Sequence, residues 1–132
     1  AYTDFAEYSA LPLVQEFENV MVLRTLSKGY SLAGLRMGFG IANPKLLAGL
    51  FKVKDSYNID AIATAVGTAA MRDQAYKNEC AEKVKAARSQ LTVDLKNLGF
   101  TVLDSQGNFV LGTPPESNAE AIYLALKERG IL

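Results

Sequence analysis

Thr25-Leu26-Ser27-Lys28-Gly29-Tyr30-Ser31-Leu32-Ala33-Gly34-Leu35-Arg36 is the stretch that decides how this chain is read. It follows Val20-Met21-Val22-Leu23, a continuous apolar run that predicts a strand buried on both faces. A lysine at the end of such a strand, in a loop of Gly, Ser and Tyr, is badly placed for a solvated surface charge. Desolvation and a nearby cation would lower its ammonium pKa, which turns a lysine into a carbonyl nucleophile. Arg36 supplies the cation.

A guanidinium and a serine hydroxyl also make a phosphate clamp, so Ser27 and Arg36 are candidates to hold an anion beside Lys28. An amine for an aldehyde and a clamp for a phosphate together describe pyridoxal 5'-phosphate. The amine at a rigid strand end would transfer its partner to substrate intramolecularly, and the freed Lys28 would be the natural base for a Cα proton. The plainer alternatives are a solvated loop lysine, an Arg36 held in a structural ion pair, and Thr25 and Ser27 as strand-end residues.

Further along, Met37 to Ala42 predicts a second apolar strand, and Asn43 with Pro44 caps a helix running to about Lys54. Ahead of the decisive stretch, Ser9 and Pro12 predict a helix ending near Asn19. Asp60 caps an Ala- and Gly-rich helix to Met71. A long helix from about Asp73 carries Tyr76, Cys80, Val84, Leu91, Leu95 and Leu98 as an apolar stripe and ends at Gly99. Phe100–Leu103 and Asn108–Leu111 predict two strands joined by a turn at Asp104–Gly107. Ser117 and Glu120 form a capping box for a last helix that Gly130 closes. The order describes an α/β fold: residues 1–72 as the end of a larger α/β domain, and 73–132 as a smaller α+β domain cut short at its end.

Composition removes several classes. Fourteen basic and fourteen acidic residues cancel, so no basic field favours nucleic acid. No apolar run is long enough to cross a bilayer as a helix. With no histidine and one cysteine, a zinc site or a Ser-His-Asp triad within these residues has no ligands, and no metal is expected. Cys80 alone suits a reducing compartment. The start at Ala1-Tyr2 and the stop at Gly130-Ile131-Leu132, where a strand is due, suggest a piece of a larger protein.

The residues Thr25-Leu26-Ser27-Lys28…Leu32-Ala33-Gly34-Leu35-Arg36 resemble the lysine motif of the class I/II aminotransferases of pyridoxal-phosphate fold type I. Among these the chain is most similar to histidinol-phosphate aminotransferases, over essentially its whole length. Ala1-Tyr2-x-x-Phe5 resembles the end of that family's Asp-Glu-Ala-Tyr-x-x-Phe motif. Val53-Lys54-x-x-Tyr57-Asn58 resembles its Pro-Tyr-Asn segment, with Ser56 where proline is usual. Ser105-Gln106-Gly107-Asn108-Phe109 and Arg129-Gly130-Ile131-Leu132 resemble two further segments.

The resemblance implies a Schiff base at Lys28, phosphate contacts from Ser27 and Arg36 with support from Thr25, and a hydrogen bond from Tyr2 to the cofactor phenolate. It implies substrate contacts from Asn108, Tyr57 and Asn58, an amino acid and a 2-oxo acid as substrates, a homodimeric parent and a cytoplasmic location. Histidinol phosphate with 2-oxoglutarate is the first expectation. A threonine-phosphate decarboxylase or aromatic aminotransferase on the same scaffold, or a non-catalytic interaction module, is the alternative. The family's ring-pairing aspartate, glycine-rich phosphate loop and carboxylate-binding arginine fall outside these residues. The chain by itself is therefore expected to be inactive, to bind the cofactor weakly, and either to associate or to be loose in its first thirty or so residues.

Overall fold

The apolar run before Lys28 forms β1 (Met21–Thr25), which pairs antiparallel with β2 (Gly38–Ala42), Met21 opposite Ala42 and Thr25 opposite Gly38. The computed structural model describes residues 1–116 and 118–131. β1 is not buried on both faces as its sequence predicts: its residues are half-buried and Leu23 is 68% exposed. A continuous apolar run needs cover on both faces. β1 and β2 stand as a two-stranded sheet among the described residues, which is too little material to supply it.

Local signals placed the middle helices well. Asn43 accepts from the Lys45 amide at 2.9 Å to start α2 (Pro44–Val53), and Asp60 accepts from the Ala63 amide at 2.7 Å to start α3 (Ala61–Arg72). Each satisfies a backbone donor that the first helical turn leaves open. Asp73 does the same for the Tyr76 amide at 3.1 Å, and α4 (Gln74–Asn97) runs to a left-handed Gly99 at φ 86°. Ala81 is buried on α4, with Cys80, Val84, Arg88 and Leu95 half-buried around it. Tyr76, Leu91 and Leu98 of the predicted stripe are exposed.

The first predicted helix shrinks to one turn, α1 (Leu13–Glu16), numbered first in chain order. Ser9 uses its hydroxyl to accept from the Leu11 amide at 3.2 Å, and a single turn lacks the length to propagate. β3 (Thr101–Leu103) pairs antiparallel with β4 (Leu111–Thr113), Val102 opposite Gly112. The second strand thus begins later than Asn108. The Ser105 hydroxyl donates to the Phe109 carbonyl at 2.6 Å and accepts from the Gly107 amide at 3.1 Å, taking those groups away from the ladder. α5 (Ala119–Glu128) closes at Gly130, φ 76°. Ser117 of the predicted capping box lies outside the described residues, and Asn118 occupies the cap without a side-chain bond.

Five apolar residues are buried among those described: Phe5, Leu26, Ala63, Ala81 and Val102. The accessible surface is 9852 Å² for 14.3 kDa. A folded monomer of that mass presents about 6,800 Å². Side chains as apolar as Phe51 (68% exposed) and Ile62 (75%) account for part of the excess.

Candidate cofactor site

The loop from Ser27 to Arg36 is closed at its neck by Leu26, the most deeply buried large side chain, at 1% exposure. The Leu26 amide donates to the Met37 carbonyl at 3.1 Å, and the Leu32 amide donates to the Leu26 carbonyl at 3.0 Å. One residue thus satisfies both its backbone groups across the loop and fixes where the chain leaves and re-enters the sheet. A turn closed by Ser31 N–H donating to the Lys28 carbonyl at 3.1 Å then presents the lysine.

Thr25 orders the serine. Its Oγ1 accepts from the Ser27 amide at 3.1 Å and donates to Ser27 Oγ at 2.9 Å. Thr25 Oγ1 also lies 3.5 Å from the Met37 carbonyl, a second acceptor for its single proton. Arg36 sits in the left-handed region at φ 54°, donates through Nη1 to the Ala33 carbonyl at 2.7 Å, and leaves the rest of its fork exposed. Neither Lys28 nor Arg36 has a carboxylate in ion-pair range among the described residues. Lys28 itself is exposed, so the burial expected of it does not come from these residues.

A second wall faces the lysine. Lys28 Nζ lies 5.7 Å from the centroid of the Tyr2 ring, within cation–π range, and Tyr2 meets Phe109 edge to face at 5.2 Å and 78°. Phe109 is held there by the Ser105 bonds and by Arg88 of α4. Arg88 Nη1 donates to the Gly107 carbonyl at 2.7 Å and to the Phe5 carbonyl at 3.3 Å, joining this loop to the 3-10 turn Thr3–Phe5. Gln106 Oε1 accepts from the Glu7 amide at 2.9 Å. The cleft they form, about 460 Å³, is lined by Tyr2, Thr3, Leu103, Ser105, Gly107 and Phe109.

Asn108 stands exposed beside Phe109. Tyr57 and Asn58 are not brought to this group: Tyr57 is fully exposed at φ 59°, and Asn58 accepts from Lys54 Nζ at 2.8 Å. Sequence reasoning missed four charged residues. Asp4 binds Arg24 Nη2 at 2.9 Å and Lys77 Nζ at 3.6 Å, with its side chain only 4% exposed. An arginine inside an apolar strand demands a buried counter-charge, and that signal was available for Arg24. Arg88 falls four residues after Val84, on the apolar stripe itself, which marks a polar head with a buried partner. Away from the cleft, Glu79 raises the Lys83 ammonium above its usual range, and a hydrogen bond with Cys80 raises the Tyr76 phenol.

The donors fit the group expected of them. An amine stands on a turn, a serine hydroxyl and a guanidinium share its loop, neither cation has an acid partner among the described residues, and a tyrosine ring faces the amine. The nearest carboxylate among the described residues, Asp4, is already engaged by Arg24 and Lys77.

Comparison with known proteins agrees with this reading. The profile of the family described as aminotransferase class I and II matches residues 1–132. The chain is 71% identical over 132 residues to histidinol-phosphate aminotransferase 1 of Trichormus variabilis, covering all of this chain and 38% of that protein. It is 48% identical to the histidinol-phosphate aminotransferase of Citrifermentans bemidjiense, again over 38% of its length. The crystal structure of histidinol-phosphate aminotransferase from Sinorhizobium meliloti, in complex with pyridoxal-5'-phosphate, superposes with a TM-score of 0.88 at 30% identity, covering 100% of this chain and 38% of that one. The chain thus spans under two-fifths of the length of the relatives it matches.

Proposed function

Because the chain belongs to the aminotransferase class I and II family, we propose that it is the lysine-bearing part of a histidinol-phosphate aminotransferase that uses pyridoxal 5'-phosphate. The observation that carries the reading is Lys28 itself: an amine with no ion-pair partner among the described residues, facing the Tyr2 ring, on a loop that also offers Ser27 and Arg36. Lys28 Nζ holds the cofactor, and Ser27 Oγ and Arg36 bind its phosphate. Thr25 would steady the Ser27 side chain through the 2.9 Å contact between their hydroxyls. Tyr2 donates its phenolic proton to the cofactor's ring oxygen. With the cofactor in place, a released Lys28 Nζ would serve as the base for the substrate Cα proton. The bound cofactor supplies an electron sink for that carbon.

In this reading residues 1–72 complete a cofactor domain and 73–132 form most of a smaller one, with Asp73 at the hinge between α3 and α4. Asn108 reaches the substrate. Tyr57 and Asn58, exposed on their turn, belong to the second subunit's site in a homodimer. The surface left open on β1, α2 and α3 supports an assembly with further chain and a second copy. The 132 residues alone then carry no transaminase activity. The substrates are histidinol phosphate and 2-oxoglutarate, in the cytoplasm.

Borohydride trapping of the full-length protein with pyridoxal phosphate, followed by peptide mapping, tests the core of this. The label is expected on Lys28 and is absent in Lys28→Ala; a label elsewhere refutes the assignment. Turnover of histidinol phosphate in preference to phenylalanine tests the substrate, and failure to turn over the phosphorylated amine removes it.

A further inference from the structure

We propose that Asp4 is the positioning residue of the Tyr2–Lys28 pair: its carboxyl sets where the Lys28–Gly29 turn rests. The inference builds on the assignment of Lys28 as the residue that holds the cofactor.

Three observations meet at this side chain. First, Asp4 is buried and binds cations from two elements, Arg24 of β1 at 2.9 Å and Lys77 of α4 at 3.6 Å. Arg24 and Lys77 are themselves largely buried, so the pairs are little screened by solvent. Second, Gly29 is buried against the same carboxyl. A Cβ on Gly29 would come within 2.6 Å of both Cβ and Cγ of Asp4, closer than real carbons approach, so only glycine fits. Third, Asp4 Oδ2 is buried with no hydrogen-bond partner, and it is the Asp4 atom nearest the Gly29 position, so the unpaired oxygen lies against the turn rather than against a donor.

The geometry follows from chain order. Asp4 lies two residues after Tyr2, and Gly29 directly follows Lys28. Contact between Asp4 and Gly29 thus holds the phenol and the amine at their 5.7 Å separation. Arg24 draws the strand that leads to Lys28 onto the same carboxyl. Lys77 draws in α4 and lies 5.9 Å from the Tyr30 ring on the far side of the turn. A shift of this contact therefore moves the amine relative to the phenol without touching either.

The test uses the full-length protein loaded with pyridoxal phosphate, comparing Asp4→Ala, Asp4→Asn and Gly29→Ala with Val102→Ala. Val102 is a buried β3 residue that serves as a control for lost stability alone. Three quantities are read: the Lys28 label after borohydride, visible circular dichroism per mole of bound cofactor, and thermal midpoint. Asp4→Ala and Gly29→Ala are expected to lower the dichroism at least about twofold, since small misplacements at a reacting centre have large effects. Asp4→Asn, which keeps the shape, changes it in the same direction by less, and serves if Asp4→Ala does not fold. Val102→Ala lowers the midpoint and leaves the dichroism per bound cofactor as in the wild type. A wild type labelled at Lys28 whose Asp4 and Gly29 variants keep its dichroism overturns this inference alone, as does a Val102→Ala change as large as theirs. A wild type without the Lys28 label overturns the functional assignment and this inference with it.

Discussion

Replacing Arg88 by methionine should open the 105–109 loop while leaving α4 intact. Methionine keeps an unbranched apolar stem and a good helix propensity, so the change removes the guanidinium head and little else. That head makes two bonds, one at 2.7 Å to the carbonyl of buried Gly107 and a weaker one at 3.3 Å to Phe5. A hydrogen bond from a charged donor contributes about 1.5–3 kcal/mol, and the longer bond adds about 1 kcal/mol or less. The loop should therefore lose about 2–4 kcal/mol against opening, a factor of about 30 to 900. The reporter is the Gly107 amide, which donates to Ser105 Oγ and is released when the loop opens. Its hydrogen exchange in the full-length protein should accelerate by that factor, while amides in the middle of α4 hold their rates. Phe109→Ala should be non-additive with Arg88→Met by about 0.5 kcal/mol or more, since one change undoes what the other relies on. An exchange rate at Gly107 within threefold of wild type would show that the loop stands without Arg88, and the reasoning would fall.

Three other outcomes can be checked directly. Gly38→Ala should destabilise by about 1–3 kcal/mol and reduce Lys28 labelling, because its Cβ would sit 2.7 Å from the Arg24 carbonyl across the ladder. Gly34→Ala, with open space around its Cβ, should leave both labelling and thermal midpoint close to wild type. Lys83 should titrate above the ordinary lysine range, chiefly through its hydrogen bond to Glu79 at 2.6 Å. Its raised value means the contribution is fully present at neutral pH and is lost as pH rises through the folded-state value. Side-chain NMR of Glu79→Gln should show Lys83 titrating lower; an unchanged Lys83 would discount the pair.

What could be read from the sequence was local. Asn43-Pro44, Asp60 and Gly99 each act on backbone groups within a few residues, and each lies where its chemistry predicts. The lysine loop was also legible, since a strand, a turn and a second strand follow one another. Misreadings arose where a side chain competed with the backbone, as Ser105 does at the start of β4 and Ser9 does before α1. Arg24 inside an apolar strand announces that a counter-charge is needed, but Asp4 and Lys77 as its companions were not legible, because three elements meet there and no spacing records the meeting. Exposure of Lys28 was misjudged for a related reason: an apolar strand announces that it needs cover without saying which part of a protein provides it.

The bonds that build the Tyr2 wall bear on the order in which the site comes into being. Glu7 reaches Gln106 across 99 positions and Arg88 reaches Phe5 across 83, whereas the neck at Leu26 and Met37 closes over a dozen residues or fewer. Closing the longer loops costs on the order of 4 kcal/mol of chain entropy. On a ribosome adding about 5–20 residues per second, Phe109 emerges on the order of 4 to 15 s after Met37. The nascent chain can therefore display its reactive amine on a finished turn for seconds before the aromatic wall that faces it can form.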